Sequence, residues 1–252
     1  MKKIILILVI GFHWLFSATT EQIVQYLSLS HSEEQVLSIE QVFDSMRQSQ
    51  ESNESNESTS QVSIVYQEYL EDHLSSNEIK EILALYRIPA MERYASEVKS
   101  FTINKEDMDA FLEGLKEEPL STEREEIVNK IIDNIINEEL QLNFYRSMMQ
   151  RYPKRADNNS SDESKNKMTP REESFVNSMK ESAKNHLLYG TQVFSMEEMK
   201  ELEDAITSSI FQKVKRVENE SLVQIMNNYI QGVVSEPKRL EEKKSKKKET
   251  EL

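Results

Sequence analysis

The chain contains no cysteine, which removes disulfides, thiolate metal sites and thiol nucleophiles together. Four glycines and five prolines among 252 residues leave little to build the tight turns that sheets require. Without disulfides the fold must be held by its apolar core alone, so that core has to be of reasonable size. Cations are also scarce: 31 Lys and Arg stand against 45 Asp and Glu, a formal charge of −14. This balance argues against a general nucleic-acid binder, whose affinity comes largely from cationic contacts to phosphate. It favours solubility and weak nonspecific adhesion. Helices are the default that remains, in a chain long enough for one or two domains.

The first eighteen residues read as an address. Lys2 and Lys3 form a positive start, Ile4 to Phe16 is a thirteen-residue apolar run, and small residues follow at Ser17 and Ala18. This is the layout of a cleavable secretory signal, with the cut expected at Ser17 or Ala18. The run is short of the roughly 20 residues that span a bilayer, and no cysteine follows it to carry a lipid anchor. A periplasmic location is the expectation. Taking Lys2 and Lys3 from the basic count leaves 29 against 45 acids, a charge of −16 on the processed chain.

Three stretches are polar enough to be disordered: RQSQESNESNESTS at 47–60, PKRADNNSSDESKNK at 153–167, and the Lys- and Glu-rich tail at 237–252. Between them apolar residues recur three and four apart. The predicted helices begin at Ile23, Val24 and Leu27, and at Ser32, where Ser32 to Gln35 fits a capping box ahead of Val36, Ile39, Val42, Phe43 and Met46. Others are carried by Val62, Tyr66 and Leu70, by Ser75 with Glu78, and by Met91 and Tyr94 after a restart at Pro89. A short helix around Met108, Phe111, Leu112 and Leu115 ends near Gly114 and Pro119. The strongest signal runs from Thr122 to about Tyr152, with a break predicted near Asn143. Thr169-Pro170 opens another helix that lasts until Gly190, and two more start at Ser195 and near Ile206.

LSSNEIKEI at 74–82 and FSMEEMKEL at 194–202 share four of nine positions without gaps, Ser75/Ser195, Glu78/Glu198, Lys80/Lys200 and Glu81/Glu201. EQIVQYL at 21–27 and EEIVNKI at 125–131 agree more loosely. Together they suggest a duplication. The predicted architecture is therefore an all-α helical bundle of two related units. Unit 1 spans 19–120 with the polar insert 47–60, and unit 2 spans 121–236 with the insert 153–167.

The run from Leu74 to Arg93 resembles a domain-of-unknown-function family of exported, mostly proteobacterial helical proteins. Its members share [FL]-[ST]-x-x-E-[LI]-x-x-[LI]-x-x-[FY]-Y-x-[ST]-P-x-G-x-[KR]. The signature positions here are Glu78, Tyr86 and Pro89, with Glu198 in the second copy; Leu85, Ile88 and Met91 depart from the pattern. The resemblance implies a helical fold, export and no known cofactor.

Chemistry is thin along the chain. After the signal, His31, His73 and His186 lie far apart without HExxH spacing and read as surface or helix-end residues. Asp157 to Asp162 looks like a calcium loop but lacks its glycine and its closing Glu, since Met168 stands at position twelve. No catalytic residue, cofactor or metal site is expected. The leading expectation is a non-catalytic module that binds a protein or peptide, not nucleic acid. A holdase-type chaperone or envelope-stress factor using Met-lined surfaces is the alternative, from a chain with eleven methionines. A hydrolase would need His73, Glu78, Tyr86 and Arg87 to meet in space. The Lys243 to Lys248 cluster could touch an anionic membrane surface weakly.

Overall fold

The computed structural model describes residues 17–32, 36–37, 61–98, 104–151 and 168–230. Among these residues the chain is all-α, a helical bundle without a strand. Its helices are α1 (Thr20–Ser30), α2 (Gln61–His73), α3 (Ser76–Leu85), α4 (Pro89–Val98), α5 (Lys105–Glu117), α6 (Thr122–Ile135), α7 (Glu138–Arg151), α8 (Pro170–Gly190), α9 (Met196–Thr207) and α10 (Ser209–Ile230). Residues 1–16 of the expected signal, the inserts at 47–60 and 153–167, the tail with Lys243 to Lys248, and most of the helix predicted from Ser32 lie outside the described residues.

Helix starts follow local chemistry. Thr19, Ser75, Thr169 and Ser195 each accept the N3 amide, while Gln22, Glu78, Glu172 and Glu198 reach back to the N-cap amide. Each box satisfies two amides that would otherwise lack partners at the helix end. Pro89 and Pro170 sit in first turns, where the missing N–H is harmless. The long 122–152 signal breaks at Ile136 and Asn137, earlier than Asn143. Ile136 takes an extended backbone, and the Asn137 carbonyl starts the next helix by accepting from Gln141. Asn137 followed by Glu138-Glu139 is an N-cap with acids in the first turn, a local start signal stronger than anything at Asn143.

Two compact units result, but not where the sequence order suggested. Unit 1 comprises residues 1–100 and 209–252, and unit 2 is the continuous segment 101–208. The boundary expected at 120 therefore falls at 100, and the chain returns to unit 1 at Ser209. In unit 1, α1 packs on α2, α3 and α4, and α10 packs on α2 and α3. Phe211, Val214, Val217, Ile225 and Met226 are buried on α10, a stripe whose apolar partners lie more than 100 residues back in the chain. In unit 2, α6 packs on α9 and α8, and α8 also carries α5 and α7. A short antiparallel bridge joins Ser17 to Ser75, with the Ala18 amide donating to the Leu74 carbonyl at 2.9 Å.

The aligned nonapeptides fold alike. Leu74 and Phe194 are buried just before the capping Ser, and Ile79/Met199 and Ile82/Leu202 are fully buried. The preceding segments also correspond, since α1 packs on α3 and α6 packs on α9. The likeness weakens at Val24, which is 47% exposed where Val128 is 0%.

Two buried hydroxyls, Ser63 Oγ and Ser221 Oγ, have no hydrogen-bond partner among the described residues. A buried unpaired hydroxyl is a desolvation loss. Ser221→Ala is therefore expected to be neutral or to stabilise by up to about 1 kcal/mol, whereas Ser75→Ala should lose about 1 kcal/mol of capping. Urea unfolding of the two variants checks both signs.

Candidate functional site

Glu78, Tyr86 and Pro89, three of the residues singled out in the sequence, fall in unit 1. The Glu78 carboxylate accepts the Ser75 amide and hydroxyl, each at 2.8 Å, and Lys213 of α10 donates to its other oxygen. Partial burial alone raises the Glu78 carboxyl, but the hydrogen bonds from Lys213 and Ser75 outweigh it and hold it below the usual range. Glu78 thus fastens the start of α3 to α10. Tyr86 caps the C-terminus of α3, is 2% exposed and meets the Tyr26 ring edge-on at 5.9 Å. Pro89 opens α4 with its ring exposed. Glu198 lies in unit 2, closing the box on Ser195 at 2.7 Å. Each of the four holds a helix end or a core contact.

The densest chemistry in unit 1 was not read from the sequence. Glu218, on the buried face of α10, is 2% exposed. The Tyr26 hydroxyl donates to its Oε1 at 2.9 Å, and Lys215, one turn earlier, donates to Oε2 at 3.2 Å. Tyr66 hydrogen bonds to the same carboxylate, and Tyr86 to Tyr26. A buried charge is tolerable only when paired and hydrogen-bonded, and this one has a cation and two phenols. Burial, followed by the Glu218 charge, pushes the Tyr26, Tyr66 and Tyr86 hydroxyls well above the usual phenol range. The phenols are therefore neutral donors. All four side chains are sealed from solvent, so the arrangement can lock helices in register but offers no surface to a substrate.

The histidines are spread out. His31 is the left-handed C-cap of α1 at φ 52°. His73 ends α2, stacks on Tyr69 at 3.9 Å and donates from Nδ1 to the Tyr69 carbonyl at 2.7 Å. His186 bonds the Ser182 carbonyl in the same way. Among the described residues no three His, Asp or Glu side chains converge on a metal position. Of the set a hydrolase would need, His73 is exposed on Tyr69, Glu78 is tied to Lys213, Tyr86 is buried on Tyr26, and Arg87 is exposed.

Unit 2 carries a different feature. Its core is Ile127, Val128, Ile131 and Ile132 with Met199 and Leu202. Arg124 closes one end, its guanidinium donating to the Thr191 and Phe194 carbonyls beyond α8. Arg146 of α7 donates to Glu172 at 2.7 Å, and that bond, with the Thr169 amide and hydroxyl, holds the Glu172 carboxyl down at about 2. Against this, α5 has no buried side chain, although Met108, Phe111, Leu112 and Leu115 repeat at helical spacing. Met149, Met168 and Met179 are also exposed, at 40%, 42% and 36%. No described helix is long and apolar enough to cross a membrane.

Removing the Glu218 carboxylate leaves Lys215 and two phenols without their acceptor. Glu218→Ala is expected to destabilise by roughly 3–5 kcal/mol, as breaking a buried pair does. The raised tyrosines set the alkaline limit. Their neutral form is favoured in the fold, so their contribution is intact below about pH 10 and is lost as pH rises towards the folded values. Absorbance at 295 nm should show these phenols ionising only together with the loss of helical circular dichroism. Glu172 acts at the other end of the scale. Its stabilisation is full above the ordinary 4.5 and is lost as pH falls through about 2, so Glu172→Gln should flatten acid unfolding of unit 2.

No protein-family model, no curated protein and no solved structure matches the chain.

Proposed function

We propose that the protein is an exported, non-catalytic interaction module of the periplasm that binds another protein or peptide through unit 2. The observation that carries this reading is α5: its stripe of Met108, Phe111, Leu112 and Leu115 packs on α8 yet stays only half-buried along its length. The part of such a stripe that stays uncovered would gain roughly 25 cal/mol for every Å² that a partner buried. The positive start, short apolar run and small residues at 1–18 support export. The resemblance around Glu78, Tyr86 and Pro89 to a family of exported helical proteins is in keeping with it. A holdase-type chaperone is the second reading, favoured by the exposed Met149, Met168 and Met179, since methionine adapts to varied surfaces.

The test is site-directed photocrosslinking in the envelope from position 112, with position 92 of α4 as control. The module reading expects a shortened, processed chain in the periplasmic fraction and one discrete adduct from position 112 alone. A ladder of many adducts, together with suppression of client aggregation at stoichiometric ratio, would transfer the case to the chaperone. An unprocessed cytoplasmic chain without adducts would overturn both.

A further inference from the structure

Helix ends in unit 1 fix where its packed chain begins. Thr19 caps α1, its hydroxyl accepting the Gln22 amide at 3.3 Å while its own amide donates to Gln22 Oε1 at 3.0 Å. The Gln22 side-chain amide in turn donates to Ser76 Oγ at 2.9 Å, which fastens the start of α1 to the start of α3. Ala18 is thereby held beside the joint between α2 and α3. It is 7% exposed, and its amide donates at 2.9 Å to the carbonyl of Leu74, one residue past the C-terminus of α2. Ser17 pairs with Ser75 across the short bridge but is exposed. Ala18 belongs to unit 1 by burial as well as by hydrogen bonding, and Ser17 lies at its edge.

The expected signal offers two bonds for the cut, after Ser17 or after Ala18. A cut after Ala18 would remove a buried residue and forfeit the bond to Leu74. It would also put an ammonium on Thr19 itself, at the positive end of the α1 dipole. A cut after Ser17 gives up only the exposed Ser17 side of the bridge. The new ammonium then lies on Leu74 at the negative, C-terminal end of α2, where a cation is favoured and a charged donor bonds more strongly. The same cut puts Leu15 rather than the aromatic Phe16 three positions before the bond, in a kind of site that favours small side chains. Resting on the export reading, we propose that processing hydrolyses the Ser17–Ala18 bond and that the new terminus ties α1 to the α2–α3 joint through Leu74. A signal peptidase is the catalyst and water the co-reactant. Oxygen from water adds to the Ser17 carbonyl carbon as the C–N bond breaks, and both water protons end on nitrogen, leaving a carboxylate and an ammonium.

The test is the intact mass and first residues of the chain recovered from the periplasmic fraction, where a start at Ala18 is expected. Ser17→Leu places a bulky side chain at the cut and should accumulate the precursor, whereas Ala18→Leu should still be cut at the same bond. Trp14, the one tryptophan of the chain, leaves with the signal, so tryptophan emission marks unprocessed material. Deleting Ala18 from the precursor gives a processed chain that begins at Thr19, and its urea midpoint should fall below that of the natural chain. A natural chain that starts at any other residue, or a cut blocked by Ala18→Leu and not by Ser17→Leu, would overturn the inference and leave export standing. An equal urea midpoint without Ala18 would overturn its role as the tie. A tryptophan-containing chain confined to the cytoplasm would overturn the export reading and this inference together.

Discussion

Unit 1 is organised around one buried negative charge. Glu218 sits in the core on α10, and the groups that make its burial tolerable come from elsewhere in the chain: the Tyr26 hydroxyl from α1, 192 residues away, and Tyr66 from α2. Sliding α10 by one residue would turn the carboxylate by about 100° and part it from its donors. The polar cluster therefore fixes register where the surrounding aliphatic contacts would tolerate several. The Glu78–Lys213 pair ties α10 to α3 and constrains the same helix from a second side.

Unit 2 is built on other terms. It is continuous in sequence, its core is aliphatic, and its charged pairs join neighbouring helices near the surface. Such exposed pairs contribute little each. The core of α6, α8 and α9 supplies the stability, and α5 contributes no buried side chain to it. An element with few buried contacts belongs to the least stable part of a fold, where binding surfaces are commonly found. The two units differ in where their polar chemistry lies: unit 1 buries Glu218 with its phenols, while unit 2 keeps its ion pairs near the surface and its α5 half-buried.

Local signals in the sequence were legible because they depend on neighbours three and four residues apart. Ser75 with Glu78, Thr169 ahead of Pro170, the restart at Pro89 and the apolar spacing of Ile79, Ile82 and Tyr86 all describe helices that form as read. Asn137 is a local signal too, but the apolar stripe from Ile127 continues across it through Ile135, Ile136 and Leu140 and hides the break. The path of α10 was not legible. Nothing in Ser209 to Ile230 states that its apolar face belongs with α2 and α3, because pairing between distant stripes depends on shape and not on spacing. Glu218 was hidden for the same reason: in sequence it is one of two acids, Glu218 and Glu220, either side of Asn219 in a polar-looking run. Only burial distinguishes it from Glu220, and burial is a property of the assembled unit.

The most direct test of this account is hydrogen exchange on a chain that ends after Ser208, compared with the full chain. If α10 completes unit 1, amides of α1 to α4 should lose protection by orders of magnitude while those of α6, α8 and α9 keep theirs. Unchanged protection of α1 to α4 without α10 would contradict the dependence of unit 1 on Glu218 and its helix.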